Sequence, residues 1–177
     1  RARLLVPRFR PIDVAPLATA LAGIYVWRDL ITARNPEYAM GVFSRGWDHV
    51  AHLNLHRMLR IHGRSIDMLG PAPGGGTWAS AEYPQGYHAA TASVAEFLAG
   101  PSPRSLDLEL VTFLQAVGIV AVLSSALAVA ALCAVPAMRG RTPFALPLAT
   151  LVAAAFVLGP GANIVSDAFA NFLLAAA

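Results

Sequence analysis

Residues 110–138 read LVTFLQAVGIVAVLSSALAVAALCAVPAM, 29 residues without a charged side chain. An α-helix needs roughly 20 apolar residues to cross a hydrocarbon core about 30 Å thick, so this run has length to spare. It sets the class of the chain, because the remaining sequence repeats the pattern on both sides. A second charge-free run extends from Thr142 to Ser166 after the basic group Arg139-Gly140-Arg141. Upstream, Ile12 to Ile31 is also apolar, although its uncharged part, Val14 to Trp27, has only 14 residues. Asp13 and the Arg28-Asp29 pair sit near its ends, where side chains reach an interface, and Tyr25 with Trp27 supplies an aromatic anchor. Ala20-Leu21-Ala22 offers the alternative of a cleaved leader, but Pro16 interrupts an already short apolar core.

Whole-chain composition agrees. Of the 177 residues, 56% are hydrophobic and 13% charged, about half the charge of a soluble domain, and the mean hydropathy is +0.57. All thirteen basic residues are arginines. They are scattered rather than gathered on one face, which argues against nucleic acid as a partner and leaves them as markers of topology. Cys133 is the single cysteine and sits inside an apolar run, so it reads as a small packed residue. The expected fold is an all-α membrane protein, a multi-span helical bundle forming one membrane domain over residues 1–177. Its parts are span 1 at 12–31, an outer loop at 32–105 with short amphipathic helices near 47–62 and 83–99, span 2 at 108–137, span 3 at 143–159, and the start of span 4 at 162–177. Arginines at 1, 3, 8, 10, 139 and 141 place the N-terminus in the cytoplasm and the long loop outside, in a multi-pass plasma-membrane protein. The chain opens on Arg1 and stops within FANFLLAAA, so we expect a piece of a longer polytopic protein.

The loop carries the chemistry-bearing residues. Its first helix, WDHVAHLNLHRMLRIH at 47–62, holds four of the five histidines. On a helical wheel with His49 at zero, His52 falls at about 300° and His56 at about 340°, so three imidazoles share one strip. The strip is either a solvated, interfacial histidine face or a site using one or two of its members. His49 and His52 have spacing fit for a divalent metal ion, which Asp48 could supplement. One ion touching both His49 and His56 is excluded by the rise of about 10 Å between them. Asp48 opens the helix, as an N-cap or as a general base at the membrane surface. Beyond a breaker-rich gap, GPAPGGGTW at 70–78, comes YPQGYH at 83–88. It is either the anchored start of an interfacial helix, with Pro84 in the first turn, or a set of stacking and hydrogen-bonding groups. Asn163, Asp167 and Asn171 recur every four residues in the last apolar segment. There Asp167 is either a site candidate or glue between helices.

A basic flank, one span, an outer loop with an Asp at the start of an amphipathic helix, a Gly-rich gap, a YPQGYH helix and a return span resemble the N-terminal module of GT-C fold membrane glycosyltransferases. The likeness is strongest to uncharacterised actinobacterial multi-pass members with GWD…H and YPQG(F/Y)H patterns. At residue level it rests on GWDHVAH and YPQGYH. The resemblance implies transfer of a sugar from a polyprenyl-phosphate donor to a glycan or lipid acceptor on the outer face, with Asp48 as the catalytic base or acceptor-orienting carboxylate. It further implies that His52, His56 and His88 bind the donor phosphate or support a divalent ion. Tyr83, Gln85 and Tyr87 would line the sugar site, and Asp167 or Glu82 would supply a second acid. The competing expectation is a non-catalytic transporter or assembly subunit whose histidine-rich loop responds to metal or pH.

Overall fold

The fold is taken from a computed structural model that describes residues 10–46, 48–101, 105–167 and 170–177, the side chain of Arg139 excepted. The basic flank before Arg10 and Trp47 of the GWD motif lie outside the described residues. A 3₁₀ turn at Pro11–Asp13 leads into α1 (Val14–Val26) and, after a bend at Trp27, α2 (Arg28–Ile31). Then follow α3 (Pro36–Phe43), α4 (His49–His62), a 3₁₀ turn at Ile66–Met68, and α5 (Gly86–Ala99). The last part comprises α6 (Leu106–Ala134), α7 (Pro136–Arg139), α8 (Thr142–Val157), α9 (Pro160–Ser166) and α10 (Ala170–Ala176). No strand occurs among the described residues.

The charge-free run forms α6, which is the mast of the molecule. Its 29 residues span about 44 Å, and α1, α2, α3, α4, α5, α8 and α10 all pack on it. Helix α1 runs antiparallel to it. Ile12 joins Val129, Cys133, Ala145 and Ala149 in a lower cluster, Gly23 lies near Val122, and farther up Gln115 Nε2 donates to the Ala33 carbonyl at 2.6 Å. Helix α8 starts in the lower cluster at Ala145 and reaches the larger upper cluster at Val157. The upper cluster gathers Trp27, Phe43, Leu53, Tyr87, Phe113, Leu114 and Leu173, so the loop helices rest on the first half of α6.

Two helical segments are long and apolar enough to cross a membrane, Leu106–Ala134 and Thr142–Ser166. The first apolar helix, Pro11–Val26, is shorter than a full span. Large apolar side chains stand exposed on three helices, among them Leu17 and Leu21 of α1, Leu123 and Leu127 of α6, and Phe144 and Leu151 of α8. At Gly159-Pro160-Gly161 the helical segment breaks between α8 and α9. Pro160 brings no N–H, the Leu158 and Gly159 amides both bond the Ala154 carbonyl, and residues 162–166 stay within the 25-residue segment that began at Thr142.

Helix α3 had no counterpart in the sequence reading, yet its signal is local. Asn35 Oδ1 accepts from the backbone N–H groups of Glu37 and Tyr38, and Pro36 occupies the first helical position, where a missing N–H costs nothing. Helix α5 starts later than Pro84 suggested, at Gly86, and just before it Gln85 Oε1 accepts from Ile66 N–H at 2.8 Å.

Close approach of α2 to α6 depends on Gly118, where a Cβ would meet Ile31 Cγ1 at 2.8 Å and Leu30 Cβ at 3.1 Å. We predict that Gly118→Ala lowers stability by about 1–3 kcal/mol through overpacking. Gly41→Ala, in α3 with no atom within 4 Å of the new methyl, should instead be neutral or stabilise by up to about 1 kcal/mol. Unfolding of the two variants in the same detergent checks both signs.

Candidate functional site

The histidine strip of α4 exists as the wheel places it, but it points inward. His49, His52 and His56 are 4%, 3% and 0% exposed, while Val50 and Ile61 on the same helix are 59% and 47% exposed. This corrects the solvated histidine face, and the reason lies in the partners that α5 and α6 offer. His52 Nδ1 lies 2.7 Å from His88 Nε2, so one ring donates to the other. His56 Nδ1 is 3.1 Å from Thr91 Oγ1, and that hydroxyl donates to the His88 carbonyl at 3.0 Å. Thr91 therefore accepts from His56, which fixes the Nδ1–H tautomer of that ring.

Arg60 continues the strip, at about 20° on the same wheel. Its Nη1 meets Glu109 Oε2 at 2.6 Å, and its Nη2 donates to the Gly100 carbonyl at 2.6 Å. Both charged side chains are 1% exposed. One guanidinium thus ties the end of α4 to the end of α5 and the start of α6. The sequence reading missed this pair. Arg60 could have been found as the next member of the histidine strip, whereas Glu109, 49 residues away, carries no local signal of its partner.

Burial sets the protonation of the imidazoles. It lowers His49 to about 4, helped by His52, and lowers His56 to about 3, with Arg60 and His88 adding repulsion. His88 is lowered to about 4 by burial and then by His52. Tyr87, 6% exposed, is raised by burial. It sets its ring edge-on to both His52 and His88, and Tyr83 covers the same pair from another side. The Tyr83 hydroxyl accepts from Asn171 Nδ2 at 3.1 Å, and Gln85 is spent on Ile66 and Ala81. Of the residues expected to meet a donor, His52, His56, Tyr83, Tyr87 and His88 are brought together, but as the packed seam between α4, α5 and α10. The two histidines with metal-ligand spacing diverge: His49 stacks on Phe43 at 5.4 Å, while His52 turns to His88. Among the described residues no group of three or more His, Cys, Asp or Glu side chains is arranged to hold a metal ion.

Asp48 stands apart from the seam. It occupies the N-cap position of α4, yet its side chain makes no capping hydrogen bond, so the structural role that its position suggested is not in use. The next residue, His49, is a wall of a cavity of about 220 Å³ between α1, α2, α3, the start of α4 and α9. Trp27, Asp29, Tyr38, Arg45 and Ser166 supply its polar groups, and Val26, Leu30, Val42 and Val165 the apolar ones. Trp27 is 5% exposed, and its buried Nε1–H has no partner among the described residues. Asp167, exposed, directly follows the wall residue Ser166. Asp48 and Asp167, the two carboxylates singled out from sequence, are each the chain neighbour of a wall residue and are not themselves part of that wall. Trp27 and Arg45 carried no local signal of a site.

Among the described residues the chain is all-helical, with two helices of membrane-crossing length and a cap of shorter helices that holds this polar cavity. The chain belongs to a family of unknown function, DUF6541, whose model matches residues 2–177. No curated protein and no solved structure matches it.

Two measurements test the seam. Glu109→Gln should cost about 3–5 kcal/mol by stranding the buried Arg60 charge, whereas Arg60→Met/Glu109→Leu should recover most of that loss. The histidines give a pH dependence of definite sign. Unfolded imidazoles protonate near 6.5, but His49, His56 and His88 resist to about 3–4 when folded. Their contribution is complete above about 6.5 and falls as the pH drops below it, by up to about 1.4 kcal/mol per pH unit for each histidine. Thermal unfolding followed from neutral pH downward should show this loss, with a shallower slope in His56→Gln.

Proposed function

We propose that the chain is a multi-pass membrane unit working at the outer surface of the bilayer as the N-terminal module of a GT-C type glycosyltransferase. The observation that carries the reading is Asp48: a carboxylate at the start of α4 that makes no capping hydrogen bond, one residue before a wall of the polar cavity. Support for the bilayer comes from the belt of exposed Leu17, Leu21, Leu123, Leu127, Phe144 and Leu151, a liability in water and an ordinary surface in hydrocarbon. Helix α6 exceeds a hydrocarbon core by about 14 Å, which lets its first turns, with Glu109, stand among the outer helices. Arg139 and Arg141, between the two long apolar segments, put that end inside.

In this reading the acceptor hydroxyl lies against Asp48, which takes its proton as the oxygen attacks the anomeric carbon. The bond from that carbon to the lipid phosphate breaks, and polyprenyl phosphate leaves with the electron pair. The imidazoles have no part in this step. Neutral and enclosed by α5, they hold rigid the helix that presents the acid. The transporter or sensor alternative draws no support from histidines held near 3–4, far below the pH at which a physiological switch turns.

Asp48→Asn in the full-length protein should lower transfer from a radiolabelled polyprenyl-phosphate sugar about 10²- to 10⁴-fold while leaving the fold intact. Undiminished transfer would remove Asp48 from the base role.

A further inference from the structure

The Gly-rich stretch between α4 and α5 is built rather than slack. The Gly75 amide donates to the Ala72 carbonyl at 2.8 Å, the Ala72 amide donates to the Gly76 carbonyl at 2.8 Å, and Trp78 Nε1–H donates to the Gly70 carbonyl at 2.9 Å. Gly75 takes a left-handed φ of 84°, which a residue without a Cβ adopts at no steric cost. The result is a compact loop closed by its own contacts, with the Trp78 ring 6.4 Å from that of His62 at the end of α4. Between this loop and the 3₁₀ turn at Ile66–Met68 lies a cavity of about 400 Å³. None of its wall residues belongs to the polar cavity at the start of α4. Ile66, Leu69 and Pro71 supply apolar wall, and Asp67, Thr77 and Trp78 supply the groups with specific chemistry.

We propose that this cavity binds a small soluble organic cation carrying an alkylammonium group, with the Asp67 carboxylate offsetting its charge and the Trp78 ring against its methyl or methylene groups. The inference rests on neither the membrane placement nor the transfer chemistry. Other ligand classes fit the wall poorly. Asp67 is its one charged side chain among the described residues, and its carboxylate makes no hydrogen bond or ion pair there. An anion therefore meets repulsion with no wall arginine to offset it. A metal ion of the calcium or magnesium kind needs about six oxygen ligands, and the side chains here offer one carboxylate and one hydroxyl. A sugar needs several placed donors and acceptors, but the Trp78 N–H is already engaged by Gly70. An alkylammonium group uses what remains. It takes a counter-charge from Asp67 and cation–π attraction from the indole, and its apolar part lies against Ile66, Leu69 and Pro71.

Equilibrium dialysis of radiolabelled choline against the full-length protein in a maltoside detergent, with unlabelled competitors, tests the site. Choline should bind saturably and be displaced by tetramethylammonium. Its uncharged isostere, in which a quaternary carbon replaces the nitrogen, should compete about tenfold more weakly, and inorganic phosphate should not compete. Asp67→Asn, an exposed substitution in a short turn, should weaken choline about fivefold. Trp78→Leu should weaken it about three- to tenfold. Trp78→Phe, which also loses the bond to Gly70 but keeps an aromatic face, should weaken it less. Absence of saturable binding, equal competition by the uncharged isostere, displacement by phosphate, or indifference to both Asp67→Asn and Trp78→Leu would overturn the proposal.

Discussion

One guanidinium organises the half of this molecule that carries the loop helices. Arg60 stands where three helices meet, with its charge against Glu109 and its second amino group on the Gly100 carbonyl. A buried ion pair of this kind gains little over apolar packing, since desolvating both charges offsets their attraction. Its effect is on geometry. The planar fork fixes the angle between α4 and the start of α6 and stops α5 at Gly100, where the last carbonyls of the helix carry partial negative charge. Once those ends are set, His56 is opposite Thr91 and His52 opposite His88, each one helical turn farther along.

Those contacts explain why a helix can bury three imidazoles and leave Val50 and Ile61 outside. In water the arrangement would be inverted, because the apolar strip of an amphipathic helix normally faces its neighbours. Beside a bilayer the exposed strip can meet apolar surroundings, and polar groups gain more by pairing with one another inside the bundle. The low basicity of His49, His56 and His88 follows from the same placement. Of these, His56 and His88 work as neutral hydrogen-bonding spacers between helices, whereas His49 stacks on Phe43.

How much of this was legible in the sequence varies with the physics involved. Helix α6 could be read directly, because an uninterrupted apolar run of that length has few other solutions. The wheel placed the histidine strip correctly, but a wheel gives relative angle and not direction, and the choice between solvent and neighbour is made by Thr91, His88 and Glu109, which lie 35 to 49 residues away. Gln85 and Tyr83 read equally well as ligands or as ties, and their contacts with Ile66 and Asn171 made them ties. Trp27 read as an interfacial anchor, since nothing local reveals that α3 and α9 will close over it. Asp48 and Asp167 were chosen on separate grounds, and each is next in the chain to a wall residue of the polar cavity, His49 and Ser166.

The polar strip of α4 grades from fixed to available along its length. At its lower end Arg60 is locked by two hydrogen bonds, one of them to an opposite charge. In the middle, His56 bonds Thr91 and His52 bonds His88. His49 has only the face of Phe43 and the cavity wall. At the top Asp48 retains a charge-bearing group with no bond to the helix that it begins. Rigidity below and freedom above are what a presented acid requires: the helix cannot roll to hide the carboxylate, because three contacts along the same strip fix its rotation. An Asp in that position that served only to start the helix would be bonded to the amides it caps, and this one is not.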